Sequence, residues 1–273
     1  MNKRFRKRLS PNRGLVCDIV HLAIKTPRVG LISDLQVEAL AEVRKHGRPK
    51  LAWNVIFMKA YAQLAARRPE LRQIYVPFPW PHIYQHDRNV CMMTVNRQLG
   101  DEQCLFFARF ESPEHKSLVE LQQQYDYVRE APVREIKQFR HQLNFARCPW
   151  FLRRLGYWVM RNLWVRKAAS HMGTFGMTLS SFRDTYGTVH LGPNTTTLGV
   201  DVISRGGKSR TLLTFDHRLM DGKPAADLMD ELGRELRGPI LAEMRSLLAG
   251  AGQAPPVGDR SVGPVQERRE RAA

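Results

Sequence analysis

Apolar residues in this chain fall at helical spacing, at alternate positions and in short runs, and these three patterns divide it into elements. Leu35, Leu40 and Val43 share one helical face, with Ser33 or Asp34 placed to cap that helix and Gly47 to stop it. A second helix is predicted from about Asn54 to Arg68, where Val55, Met58, Ala62, Leu64 and Ala65 recur every three or four residues before Pro69 ends it. Strands follow. Residues 89–95 and 103–110 flank the turn-forming Leu99-Gly100-Asp101 and read as a hairpin, and a long helix is expected from about Ser112 to Arg129. Thr174 to Leu179, Thr197 to Ile203 and Arg210 to Phe215 read as strands, the last two joined through Gly206-Gly207. A closing helix starts near Lys223, with Ala225, Leu228, Met229, Leu232 and Leu236 on one face until Gly238-Pro239 interrupts it. Helices mixed with hairpins predict an α/β (α+β) two-layer sandwich, a mixed β-sheet with helices on one face.

The ends carry no such pattern. Residues 1–14 read as a basic arm and residues 249–273, rich in Gly, Pro and charge, as a disordered tail, leaving 15–248 as one domain without a linker or an internal repeat. Hydrophobic residues make up 43% of the chain and aromatics 9%, enough for a sizeable core, which excludes a disordered, collagen-like or disulfide-scaffold protein.

Charge adds a partner class. The 273 residues hold 43 Lys plus Arg against 26 Asp plus Glu, a net +17 that calls for an anionic partner: nucleic acid, an anionic membrane surface, an acidic carrier protein or the phosphates of a coenzyme. No helix-turn-helix, zinc-finger or RNA-recognition signature is present, so nucleic acid ranks last. Cys17, Cys91, Cys104 and Cys148 lack metal-ligand spacing, so no metal is expected, and they read as reduced thiols of a cytoplasmic protein, peripheral attachment to a membrane being a second placement. The basic start MNKRFRKRL is followed by Ser10-Pro11-Asn12-Arg13-Gly14 where a signal peptide would need an apolar run, so secretion is not indicated.

The chemistry concentrates in Leu212 to Gly222, LLTFDHRLMDG, where an apolar strand delivers His217 and an Asp-Gly turn follows four residues later. A histidine titrates near neutrality, and a rigid strand end fixes where its ring points, so His217 suits proton transfer; a packed strand-end histidine is the plainer role. Asp221 has three available roles: contacting the imidazole, pairing a buried arginine, or capping the following helix. Gly173 and Gly176 are too few for a phosphate loop, and His171 and His190 have no ligand-spaced partners.

LLTFDHRLMDG followed by an amphipathic helix resembles the signature of the catalytic domain of 2-oxo acid dehydrogenase acyltransferases (dihydrolipoamide acyltransferases), in the chloramphenicol acetyltransferase-like superfamily. LAWNVIFMKAYAQLAARRPEL (51–71), Thr178-Leu179-Ser180-Ser181 and GPNTTTLGV (192–200) are similar to further family segments, and the resemblance spans roughly residues 15–248. It implies a chloramphenicol acetyltransferase-like fold and an acyltransferase that moves an acyl group from a thioester of coenzyme A, or of a lipoyl or phosphopantetheine carrier, to a thiol, hydroxyl or amine. It also implies His217 as general base, Ser180 as donor to the oxyanion with Ser181 as the alternative in register, and Asp221 holding the active-site loop through an arginine. The assembly implied is a homotrimer, or a larger assembly of trimers, in which His217 faces Ser180 of a neighbour.

Two departures qualify it. No lipoyl or subunit-binding module is legible in these residues, so a free coenzyme A or carrier-protein thioester is the simpler donor, and service by a lipoyl domain in trans is the alternative. Residues 134–167 hold nine Lys or Arg and one acidic residue, interleaved with Trp150, Phe151, Tyr157, Trp158 and Trp164. On one helical wheel from Pro149 to Lys167 the arginines scatter, which predicts a helix packed on its own domain with arginines snorkelling outward; an acyl-chain wall, a carrier-docking face and a membrane-bound scaffold without turnover are the other expectations.

Overall fold

The computed structural model describes residues 9–180, 192, 194–201 and 207–251. Ser181, His190 and Gly206, residues 1–8 and residues 252–273 lie outside the described residues. The elements run α1 (Pro11–Ala23), β1 (Arg28–Gln36), α2 (Glu38–His46), α3 (Trp53–Arg67), β2 (Gln73–Val76), β3 (His82–Gln85), β4 (Val90–Leu99), β5 (Glu102–Glu111), α4 (Leu118–Glu130), α5 (Lys137–Arg147), α6 (Trp150–Asn162), α7 (Val165–Met172), β6 (Phe175–Ser180), β7 (Thr196–Asp201), β8 (Lys208–Asp216), α8 (Gly222–Glu235) and α9 (Leu241–Ala251).

Six strands form one mixed sheet in the order β1-β8-β7-β6-β4-β5, and β2 and β3 form a separate hairpin. β6 runs parallel to both β4 and β7, while the remaining pairs are antiparallel. The main core fills one face. Cys91, Met93 and Val95 of β4 and Phe175 and Met177 of β6 meet Val55, Met58 and Ala62 of α3 and Leu228 and Leu232 of α8 there. Within it the Tyr61 hydroxyl donates to Thr196 Oγ1 at 2.8 Å, satisfying a phenol that has no water to turn to.

The helices of this face match the expected sandwich. The other face is also covered, however, by α1, α6 and α7, which adds an incomplete third layer to the two predicted. α5 closes the β5 edge. Gln142 Oε1 accepts from Phe107 N at 3.0 Å, its amide donates to Leu105 O at 2.9 Å, and Gln138 Oε1 accepts from Arg109 N at 2.8 Å. Two glutamines thus replace a neighbouring strand, which blocks edge-to-edge association.

Several boundaries differ from the sequence expectation, each for a physical reason. Ser33 and Asp34 cap no helix, because Arg28 to Gln36 pairs antiparallel with β8 along its whole length, and α2 begins only at Glu38. The basic arm is helical from Pro11, where the Ser10 hydroxyl accepts from Arg13 N and Pro11 opens the first turn. α4 starts at Leu118 rather than Ser112, because Ser117 and Glu120 make a reciprocal capping box. Gly238-Pro239 does not end the last helix. A π-turn over Leu236–Ile240 absorbs the proline, and α9 continues from it.

The segment read as one helix breaks at Leu163 and Trp164 into α6 and α7, so its arginines do not scatter around a single axis. Nor do they all snorkel outward. Arg153 is buried and donates to Asp18 at 2.7 Å and to the Ala146 and Cys148 carbonyls at 3.1 and 2.6 Å, while Arg154 reaches the other Asp18 oxygen at 2.9 Å. An inward carboxylate on α1 holds these arginines in.

Candidate active site

β8 ends at Asp216, and the tight turn that follows places His217 at the rim of the sheet. Its backbone N–H donates to Pro27 O at 3.0 Å, which ties the turn to the start of β1. The imidazole lies edge-on to Phe215 with centroids 6.3 Å apart. Nδ1 is 3.2 Å from Met220 O and 3.3 Å from Asp221 Oδ1. Both neighbours can only accept, so Nδ1 carries the proton in the neutral ring and Nε2 keeps its lone pair for an incoming donor. The ring is half exposed and therefore reachable.

Asp221 takes the first of its three roles. It occupies the N-cap position of α8 but makes no side-chain cap hydrogen bond, and its only ion-pair partner among the described residues is His217. The arginine expected at Asp221 is found at Asp216 instead. The buried Asp216 carboxylate accepts from Arg218 Nε at 2.9 Å and Nη2 at 2.6 Å, and Arg218 stacks on the Tyr75 ring at 4.2 Å. The two aspartates flank the turn between β8 and α8, and the buried one needs the full charge partner.

Ser180 is the last residue of β6, in register with Asp201 of β7. His217 lies beyond the other end of that strand, since Phe215 pairs with Thr196. Thr196 and Asp201 are five residues apart, or about 17 Å at strand rise. One chain therefore does not bring Ser180 and His217 together.

Between the second face of the sheet and the helices α1, α5, α6 and α7 lies a cavity of about 1080 Å³. Leu15, Phe107, Phe145, Leu155 and Met160 make it predominantly apolar, and Thr94 and Thr178, joined by a 3.0 Å hydrogen bond, give it a polar floor. It extends from Asn194 near the His217 end to Asp201 near the Ser180 end. Sequence reasoning missed these walls, although Met92, Thr94 and Asn96 alternate with the core residues of β4 and mark a second lined face. His171 lines the same cavity.

No protein-family model and no curated protein sequence matches the chain. Solved structures do match. A dihydrolipoamide acetyltransferase from Azotobacter vinelandii superposes with a TM-score of 0.62 at 16% identity, covering 90% of this chain and 94% of that one. The fold is that of a dihydrolipoamide acetyltransferase core. The truncated catalytic core of the 2-oxoacid dehydrogenase multienzyme complex from Thermoplasma acidophilum gives 0.63 at 16% identity over 87% of this chain and 99% of its own. A probable dihydrolipoamide acetyltransferase from Listeria monocytogenes gives 0.59 at 15% identity over 85% and 94%. This acyltransferase-type fold answers the fold expected from LLTFDHRLMDG, and the described residues hold no metal-binding cluster of His, Cys, Asp or Glu.

Proposed function

We propose that the protein is an acyltransferase that moves an acyl group from a thioester to a thiol, hydroxyl or amine by direct attack. One observation carries the reading: on this fold, His217 stands at a strand end with Nδ1 occupied by Met220 O and Asp221 and with Nε2 left free. In the reaction Nε2 takes the proton of the acceptor as its heteroatom attacks the thioester carbonyl. The resulting oxyanion collapses, the carbon–sulfur bond breaks, and the imidazolium returns the proton to the leaving thiolate. The Met220 carbonyl and the Asp221 carboxylate stabilise the imidazolium in between. No acyl-enzyme forms.

The oxyanion donor in this reading is Ser180 of a neighbouring subunit in a homotrimer, because 17 Å or so separates the two ends within one chain. The Azotobacter structure was determined to study a serine, a histidine and an asparagine in that enzyme's mechanism, the last two four positions apart, as are His217 and Asp221. A related structure is the cubic core of a pyruvate dehydrogenase multienzyme complex, which supports an assembled state here.

Coenzyme A or a carrier-protein thioester is the proposed donor, with a lipoyl domain in trans as the second form of the same chemistry. The apolar cavity suits the acyl chain. Four free cysteines favour the cytoplasm as the setting.

The test is acyl transfer from coenzyme A thioesters of increasing chain length, comparing the parent with His217→Ala and Ser180→Ala. Loss of about 10²- to 10⁴-fold in kcat for His217→Ala is expected. No transfer by the parent from any thioester, or full activity in His217→Ala, would overturn the reading.

A further inference from the structure

Three guanidinium groups lie in the neighbourhood of one carboxylate beside His217, and one of them pairs with it. Asp216 is buried, and Arg218 occupies both of its oxygens. Arg28, opposite Asp216 in the β1–β8 ladder, gives Nη2 to the carbonyls of Gly192 and Asn194, while its Nε and Nη1 are buried without any hydrogen-bond partner. Arg161 of α6 is only 7% exposed, and its Nη1 is likewise buried and unpartnered. The β2–β3 hairpin holds the group together: Tyr75 lies under Arg218, Phe78 packs against Trp158 at 5.3 Å, and Val165 packs on Ile74 and Val76.

The balance of charge is unfavourable as it stands. Three cations share the field of one anion that is already bidentate with Arg218, so Arg28 and Arg161 have no ion-pair partner among the described residues. Removing a cation from water is among the costliest events in folding unless an anion meets it, and orphaned N–H groups add to the cost. The electrostatics agree. Arg28 is lowered to about 10, by burial first, with Asp216 pulling up and Arg161 and Arg218 pushing down. Arg161 is lowered too, by burial first and then by Arg218, against the pull of Asp216.

We infer that Arg28, Arg161 and Arg218 form an oxyanion-binding site that takes a phosphate or carboxylate group of a ligand next to His217. Guanidinium forks match the paired oxygens of either group, and three unused donors point to a planar or tetrahedral oxyanion rather than a halide. Arg218, whose side chain is 27% exposed, puts one edge of the proposed site at the surface. The inference stands apart from acyl transfer, because it is tested by binding rather than turnover.

The experiment is a thermal-unfolding titration of the full chain with inorganic phosphate and, separately, with acetate, against sodium chloride at matched ionic strength. A rise of about 3 °C is expected at ten times the Kd of the preferred anion, with no rise in chloride. Phosphate or acetate giving the larger rise tells which group the site takes. Arg161→Met should abolish the anion-dependent rise while leaving unfolding without anion unchanged or at higher temperature, since it removes an unpaired buried charge. Calorimetric titration of the parent with the same two anions decides the matter if that variant does not fold. No response of the parent to either anion, or an undiminished response in Arg161→Met, overturns the site.

Discussion

Ser180 and His217 stand at opposite ends of the sheet: Ser180 is paired with Asp201 at one end of β7, and His217 follows Asp216, the residue after Phe215, which is paired with Thr196 at the other end. A base and an oxyanion donor must both lie within about 3 Å of the reacting group. If both residues act in one reaction, each must come from a different chain.

This relationship makes subunit mixing decisive. His217→Ala and Ser180→Ala chains, each inactive or nearly so, should regain about a quarter of parent activity when co-assembled in equal amounts, because a site drawing one residue from each of two subunits is intact in that share of random pairings. Activity of the mixture equal to the average of the separate variants would show that each site belongs to one chain.

Asp221 should matter much less than His217. Its carboxylate is 81% exposed, and Met220 O, at 3.2 Å, holds the same Nδ1 proton without it. Solvent screening leaves such a pair only a small contribution. We expect Asp221→Asn to lower kcat/KM by less than about tenfold, against about 10²- to 10⁴-fold for His217→Ala, in a steady-state assay. Equal losses for the two would place the carboxylate in the chemistry itself.

Asp18 is the anchor of the second helical layer. It is buried and holds Arg153 and Arg154 of α6 against α1. Asp18→Ala leaves the Arg153 charge buried with only the carbonyls of Ala146 and Cys148, which should lower stability by about 3–5 kcal/mol in urea unfolding. A loss below about 1 kcal/mol would mean that α6 is not held by this pair.

His86 sets an acid limit. It is buried, and desolvation pushes it from an ordinary 6.5 down to about 4, with Asp87 pulling up and Arg88 pushing down. Between those two values the unfolded chain binds the proton and the folded one does not, so the stability this site contributes is present above pH 6.5 and falls as pH drops toward 4. His86→Phe, which keeps the ring beside Tyr84, should flatten the fall in Tm between pH 6.5 and 4. An unchanged profile would assign the acid limb to other groups.

Local signals carried much of the fold. The apolar spacing of α3, the Leu99-Gly100-Asp101 turn and the run Leu212 to Phe215 are decided by neighbours within a few residues, and each formed where it was read. So did His217, whose place at a strand end follows from the residues just before it.

Other features depend on partners distant in the chain. Ser33 and Asp34 read as caps because their short-range chemistry suits one, yet pairing with residues about 177 positions later made them strand. Arg153 and Arg161 read as surface arginines, and only Asp18, 135 positions away from Arg153, explains why one of them is buried. The sequence by itself determined α3, the β4–β5 hairpin, β8 with the histidine at its end and the type of fold, because periodicity and turn chemistry are written in adjacent residues. The tertiary structure decided that Ser180 stands far from His217, that a cavity lies over the second face, and that Arg218 pairs with Asp216 while Arg28 and Arg161 keep buried, unpartnered N–H groups. Register and burial set those distances and charges, and neither is a property of any short stretch of chain.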